Sequence, residues 1–469
     1  MITKGNTVLK RIRMRIVSLS LFLFSAVPVV VATSAEKPNV VVIVTDDQGT
    51  LDVNCYGSKD LHTPNMDAIA ANGIRFTQAY AHSVCCPARA ALMTGRHSQR
   101  VGINSWSQRS IHVDTEHNMH ADEITLGEVF QSSGYKTALF GKWHLGAHRD
   151  LGPKKQGFDE FFGLRDGFID NFVHFHLHRD GFHDLFEGTR EVFMHGRYFP
   201  ELMITRAEKF IKQNRKHPFL LYVGFNIPHY PEQPLPEHAK LYEGMEEPRK
   251  LYASFITTTD YYVGRVMAQL EKYGLTEDTI VLFLSDNGHS VENYVIEKDN
   301  HSSGYPKGYN YGSNGGGGNT GKWIGNKGTF LEGGIRTPAI LSWPGRVAKG
   351  ETRGAVVSAL DWLPTLCELA GVAQPDAKLD GHSILPIIDS SDAVSKHKAL
   401  YFQWQEKWAV READWKLIYM PDDGGKLSLH NLGDEKPEVH DYVSEKPEVV
   451  TRLKGLYDTW AADVFAPRP

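Results

Sequence analysis

Five short, largely apolar runs punctuate the chain: 40–44, 138–140, 219–225, 280–284 and 339–343. They are continuous rather than alternating, the pattern of strands covered on both faces in a parallel sheet. Between them lie amphipathic stretches with helical spacing: 66–71, 126–132 behind a possible Thr125 cap, 204–213 and the long 251–273. Strands alternating with helices predict an α/β domain, a large mixed and mainly parallel sheet flanked by helices. A polar stretch at 389–396 breaks the pattern. Beyond it, 399–403, 408–411, 415–419 and 427–430 read as short antiparallel strands and 449–462 as a closing helix. The expected organisation is a leader over 1–35, a catalytic α/β domain over 36–395 and a small α+β subdomain over 396–469.

Composition narrows the class. The 469 residues are 41% hydrophobic, 11% aromatic and 23% charged, as in an ordinary globular protein. The first 35 residues hold five bases and no acid, then an apolar run at 16–31, then Ala32-Thr33-Ser34-Ala35. This is the build of a secretory signal peptide, so a periplasmic or extracellular protein is expected, and not an integral membrane protein once processed. Without the leader the net charge moves from −5 to −10, which argues against a nucleic-acid partner. Four cysteines, Cys55, Cys85, Cys86 and Cys367, are too few for a disulfide scaffold in a chain this long.

Open α/β sheets bind ligands beyond the carboxyl ends of their strands. Run 40–44 leads into Thr45-Asp46-Asp47, and 280–284 into Ser285-Asp286-Asn287-Gly288. Three carboxylates and an amide make an all-oxygen set suited to a hard divalent cation such as Ca²⁺ or Mg²⁺, although Asp and Asn are also good turn formers. The other run ends add cations and imidazoles: Gly141-Lys142-Trp143-His144, Asn226-Ile227-Pro228-His229, and Asn326-Lys327-Gly328 ahead of Glu332-Gly333-Gly334-Ile335-Arg336. Such a surround suits a tetrahedral oxyanion.

The most specific segment is Cys85-Cys86-Pro87-Ala88-Arg89, continuing to Thr94-Gly95-Arg96. Pro87 and the residues after it favour a helix, which places Cys85 at its N-terminus with Arg89 one turn on. Cys85 is then either a reactive thiol beside an anion-stabilising arginine or a small buried hydrophobe. The run resembles the signature of the type I, formylglycine-dependent sulfatases of the alkaline phosphatase superfamily, and within them a bacterial polysaccharide sulfatase. The likeness extends through Asp46-Asp47, Thr63-Pro64-Asn65, the 141–146 segment, Pro228-His229, Asp286-Asn287-Gly288 and 327–338. Ala88 stands where that signature commonly has Ser.

The resemblance implies that a maturation enzyme oxidises Cys85 to Cα-formylglycine, whose hydrate supplies the nucleophilic oxygen and carries sulfate as a covalent intermediate. Asp46, Asp47, Asp286 and Asn287 would hold one Ca²⁺, which also contacts residue 85. Arg89 and Lys142 would position the nucleophile, His229 and Lys327 would bind sulfate and assist the leaving alcohol, and His144 would take the proton that releases sulfate.

Substrate choice is expected from loops: Trp106, 174–179 with His183, 289–319 with Tyr294, Tyr305, Tyr309 and Tyr311, and 403–408. His174, His176 and His178 alternate and could line one strand face as a second metal site, though hydrogen-bonded polar residues or a sugar-binding wall are the better readings. Asp184 and Arg190 are expected at the surface. The substrate class favoured is sulfated carbohydrate, such as fragments of glycosaminoglycan or algal polysaccharide. Two alternatives stand: a phosphomonoester or phosphonate-ester hydrolase of the same superfamily, and a non-catalytic relative that binds sulfated glycans.

Overall fold

The computed structural model describes Met1 and residues 37–105, 118–148 and 150–466. Residues 2–35 of the expected leader, and Trp106, lie outside the described residues. Ten strands form the central sheet: β1 (Asn39–Thr45), β2 (Gly73–Phe76), β3 (Lys136–Gly141), β4 (Glu160–Gly163), β5 (Phe186–Glu187), β6 (Arg190–Glu191), β7 (Phe219–Gly224), β8 (Thr279–Ser285), β9 (Ala339–Ser342) and β10 (Glu351–Arg353). Their spatial order is β10-β2-β9-β8-β1-β7-β3-β4-β5-β6. The middle of the sheet, from β8 through β1, β7 and β3 to β4, is parallel. Antiparallel β9 and β5 flank it.

The continuous apolar runs follow from burial on both faces. In β1, Val40, Val42 and Val44 enter one core, while Val41 and Ile43 enter the other. Leu220 and Tyr222 against Leu221 and Val223 divide in the same way in β7. The first core is covered by α2 (Cys85–Thr94), α3 (Leu126–Ser132) and α6 (Trp362–Ala370). The second is covered by α1 (Pro64–Ala71), α4 (Phe199–Asn214) and α5 (Arg249–Lys272). Thr125 caps α3 in a reciprocal capping box with Glu128. The helix expected at 204–213 starts five residues earlier, because Phe199 is buried in the second core and Pro200 fits a first helical turn.

β11 (Leu400–Trp404), β12 (Lys407–Glu412), β13 (Trp415–Met420) and β14 (Lys426–Asn431) make an antiparallel C-terminal sheet. One face packs on α7 (Pro447–Val464) through Trp408, Val410, Leu417, Leu429, Val449 and Leu453. The opposite face, with Leu400, Phe402, Ala409 and Ile418, belongs to the first core of the main sheet. Among the described residues, no helix is long and apolar enough to cross a membrane.

Candidate active site

The carboxyl ends of four neighbouring parallel strands converge on one point. β1 ends at Thr45 and delivers Asp46 and Asp47, both fully buried. β8 ends at Ser285 and delivers Asp286 and Asn287. The two turns are joined: the Asp47 amide donates to Asp286 Oδ1 (3.4 Å), and Asn287 Nδ2 donates to Asp47 Oδ1 (2.6 Å). Asp47 sits at φ 60°, a left-handed conformation that Asp tolerates better than most residues.

β3 ends in Gly141, whose φ of 118° suits glycine. A Cβ there would stand 1.9 Å from the Gly224 carbonyl oxygen at the end of β7. Beyond it Trp143 enters the first core, which leaves its neighbours Lys142 and His144 for the site. Lys142 Nζ donates to Asp46 Oδ2 (2.6 Å). His144 is buried, at φ 58°, with neither ring nitrogen hydrogen-bonded to any of the described residues. After β7 comes His229, stacked on Phe168 (centroids 5.1 Å apart). Its Nδ1 lies 2.6 Å from the Tyr230 carbonyl oxygen. A carbonyl only accepts, so Nδ1 carries the hydrogen and Nε2 faces Asp47 Oδ2, 3.6 Å away.

Cys85 opens α2 as expected, following Val84, which provides no side-chain cap. Its Sγ donates to Asp46 Oδ1 (3.2 Å). One turn on, Arg89 Nε donates to Asp286 Oδ2 (2.8 Å), and its other nitrogens donate to the Lys142 and Phe225 carbonyls. Lys327 reaches Asp47 Oδ2 (2.9 Å) and Glu292 Oε2 (3.2 Å). Its backbone is pinned to His289, and that of Gly328 to Ser83, so the loop is tied both to β8 and to the approach to α2.

Burial and these partners set the charges. Burial pushes the Cys85 thiol well above its usual range, and Asp46 adds to this, so the unmodified side chain is a protonated thiol. Burial would also raise Asp46, but the cations Lys142 and Arg89 outweigh it and hold that carboxyl far below its usual value. Asp47 is pushed up to about 7, by burial first, with Lys327 opposing and Asp46 adding to the rise. Burial would lower Lys327, yet Asp47 and Glu292 keep it well above its usual value, hence charged. Burial and then Lys142 and Arg89 lower His144 well below its usual value; burial and then Lys327 do the same to His229.

The donor set fits a hard cation. Asp46, Asp47, Cys85 and His229 present donor atoms within 4.8 Å of one another. Asn287 spends its amide hydrogens on Asp47 and the Gly288 carbonyl, leaving Oδ1 buried with no partner among the described residues. An orphaned carbonyl oxygen beside clustered carboxylates is a ligand for an oxygen-seeking metal. His229 belongs to this quartet, whereas the sequence reading places it on the sulfate; Asp286, expected as a ligand, is not in it, and its oxygens accept the Asp47 amide and Arg89 Nε.

A cavity of about 490 Å³ opens from Cys85, His144, His229 and Lys327. His178, Arg179, Tyr294 and Tyr311 line it, all within segments expected to choose the substrate. Residues 403–408 do not line it; they form the turn between β11 and β12 with its flanks. The three alternating histidines do not make one row: His176 and His178 lie side by side against Phe168, their ring centroids 5.2 Å apart, while His174 is set apart. His174 leaves extended geometry at φ 63°, and its Nε2 lies 2.9 Å from the Arg197 carbonyl oxygen. His178 Nδ1 lies 2.9 Å from the Tyr311 hydroxyl. Asp184 is not at the surface: it is buried and accepts the backbone amides of Arg165 and Asp166. Arg190 is exposed. Sequence reasoning did not single out Glu292; its lone signal was a position in the 289–319 loop, because a carboxylate beside an anion-binding lysine has no motif of its own.

The profile of the family described as "Sulfatase" matches residues 38–372, and that of "N-sulphoglucosamine sulphohydrolase, C-terminal" matches 322–458. The chain is 30% identical over 427 residues to N-acetylgalactosamine-6-sulfatase of Canis lupus familiaris, covering 83% of this chain and 76% of that one. It is 28% identical over 447 residues to steryl-sulfatase of Homo sapiens, covering 78% and 72%. Among solved structures, Ps i-CgsB in complex with k-i-k-neocarrahexaose superposes with a TM-score of 0.77 at 28% identity, covering 91% of this chain and 93% of that one. With the fold and the strand-end cluster already described, the chain belongs to the sulfatase family, the type I sulfatases of the alkaline phosphatase superfamily. Its reaction is the hydrolysis of sulfate esters.

Proposed function

We propose that this sulfatase removes sulfate from sulfated carbohydrate, such as glycosaminoglycan or algal polysaccharide fragments, after a maturation enzyme has oxidised Cys85 to Cα-formylglycine. The observation that carries the reading is the convergence at the floor of one cavity of Cys85, His144, His229 and Lys327, backed by the carboxylates of two strand ends. The aromatic wall of that cavity, Phe168, Tyr230, Tyr294 and Tyr311, suits the face of a sugar ring. The similarity to an N-acetylgalactosamine-6-sulfatase and to a structure holding a neocarrahexaose supports the same substrate class.

Formylglycine at position 85 would supply, as its hydrate, a nucleophilic oxygen that an unmodified thiol lacks; Asp46, Asp47, Asp286 and Asn287 would hold a Ca²⁺ beside residue 85, and that ion would offset the charge of the sulfate. The chain's own residues do the rest. Lys142 and Arg89, anchored on Asp46 and Asp286, fix the position of residue 85. Lys327 is a permanent cation for the sulfate and the departing oxygen. His229 offers Nε2, whose proton affinity rises when an anion binds beside it, so it can protonate the leaving alcohol. His144 is neutral with both nitrogens unengaged, as a base must be to accept the proton whose removal frees sulfate. The basic, apolar and small-residue order of 1–35 supports export to the periplasm or the exterior.

Ion chromatography of sulfate and phosphate released from sulfated oligosaccharides, an aryl sulfate and an aryl phosphate tests the reading. Cys85→Ala is the control, and mass spectrometry reports the state of residue 85. Sulfate release that requires residue 85 is expected. Phosphate release alone would move the protein to the phosphoesterases, and binding of glycan without release would make it a lectin-like relative. Dialysis against a chelator, followed by Ca²⁺ or Mg²⁺, tests the ion: the correct one restores turnover and raises Tm.

A further inference from the structure

A pocket built to receive a sulfate ester gathers positive charge, yet this one carries a carboxylate beside its cation. Glu292 lines the cavity with its side chain 28% exposed, and its Oε2 lies 3.2 Å from Lys327 Nζ. The carboxylate is fixed: Oε2 accepts the Ser290 hydroxyl (3.0 Å) and Oε1 the Tyr294 hydroxyl (3.0 Å). Counting about two acceptor positions per oxygen, Lys327 and Ser290 fill Oε2, and Oε1 retains one. Burial alone would raise its pKa, but the Lys327 ammonium beside it holds it down to about 2, so the group is an anion throughout the working range. Neither the metal cluster nor the proton steps use it.

We propose that Glu292 is a specificity-determining residue that reads the substituent next to the scissile sulfate, accepting a neutral hydroxyl there and rejecting a carboxylate or a second sulfate. This rests on the sulfatase reading above, with Lys327 at the ester oxygen. The geometry gives the reason. Lys327 sits between Asp47 and Glu292. An ester oxygen bound to its ammonium therefore turns the neighbouring carbon, and whatever that carbon bears, toward the Glu292 side of the cavity. A hydroxyl there donates to the free position on Oε1. A second anion meets a held negative charge in a partly dehydrated wall, an arrangement that discriminates by repulsion rather than by fit. The preferred substrate is accordingly a sulfated sugar whose group vicinal to the reacting sulfate is an unmodified hydroxyl.

The test uses the matured enzyme and three aryl sulfates that differ only in the group beside the ester: phenyl sulfate, catechol monosulfate and salicyl sulfate, followed by released sulfate. Absolute rates move when Glu292 is changed, because Lys327 loses a partner, so the readout is each substrate's kcat/KM relative to phenyl sulfate. Glu292→Gln, which keeps size and an acceptor but loses the charge, is expected to raise the relative value for salicyl sulfate by about tenfold. Glu292→Ala is expected to lower the relative value for catechol monosulfate by about fivefold, as the acceptor disappears. Unchanged ratios overturn the proposal, as does an equal fall on all three substrates, which would make Glu292 a support for Lys327 alone. Sulfate release from phenyl sulfate by the unaltered enzyme tests the sulfatase reading by itself, so the two can fail separately.

Discussion

His144 is held neutral by burial and the adjacent Lys142 and Arg89, and among the described residues none engages its ring nitrogens. A residue placed to remove one late proton affects a single step. His144→Ala is therefore expected to lower steady-state turnover by about 100-fold or more. A rapid release of about one equivalent of alcohol per enzyme should survive, with sulfate appearing only slowly. Equal slowing of alcohol and sulfate in a single-turnover experiment would assign the proton elsewhere. Asp184 shows how burial hides a residue's role: in the sequence it is one more charge, whereas in the fold it ties the Arg165–Asp166 turn beyond β4. Burial, opposed by those two amides, pushes its carboxyl up to about 6 from 3.8. Between those values the folded protein keeps a proton that the unfolded chain has released, so stability falls as pH rises through the window and levels off above about 6. The difference amounts to about 3 kcal/mol for a fully buried group. Urea midpoints of wild type and Asp184→Asn across pH 4–7 should show a loss in both, smaller in the variant by about this amount, because Asp47 still titrates there.

At the scale of elements, the strands that carry the chemistry were the most legible in the sequence. β1, β7 and β8 are covered on both faces, so alternate residues had to be apolar for two different cores, and no polar position interrupted the run. The site was legible for the same reason, since each such run ended abruptly in a cluster of Asp, Lys or His. β2, β4 and β10 were not found: they have four, four and three residues, and β10 exposes two of its three. Their pairing is decided by the neighbours already in place rather than by their own pattern. The glycine after β3 belongs to the same logic of close approach. Gly141→Ala must accommodate a Cβ at 1.9 Å from the Gly224 oxygen and also an unfavourable φ. It is expected to cost about 2–4 kcal/mol and to lower activity by displacing Lys142 and residue 85's partner Asp46. Chemical denaturation together with kcat on one sulfate ester would measure both effects; a variant as stable and active as the wild type would show that β3 and β7 can separate without disturbing the site.

Across the whole molecule, the C-terminal sheet does more than cover the main core. Lys416 of β13 is fully buried and donates to Glu332 Oε1 (2.9 Å); it also pairs with Glu438. Glu438 in turn accepts the Glu332 backbone amide (2.9 Å). Glu332 completes its shell with the Tyr80 hydroxyl (2.6 Å) and Arg336 (3.1 Å). Burial alone would raise Glu332, but Lys416, Arg336 and Arg411 hold it at about 2. The next residues, Gly333 and Gly334, lie against Gly288, whose amide donates to the Gly334 carbonyl (2.9 Å) directly after Asn287. A charge on the C-terminal sheet thus sets the turn against which Asn287 rests. Lys416→Met keeps length and apolar volume but leaves two buried carboxylates facing each other across the missing ammonium. The expected cost is about 3–5 kcal/mol. Because that sheet shares the main core, near-UV circular dichroism and activity should be lost in one transition shifted to lower denaturant. The triple replacement Lys416→Met, Glu332→Gln, Glu438→Gln, which removes all three charges together, should recover much of the loss. Two separate transitions, or no rescue, would mean that packing alone joins the C-terminal sheet to the catalytic one.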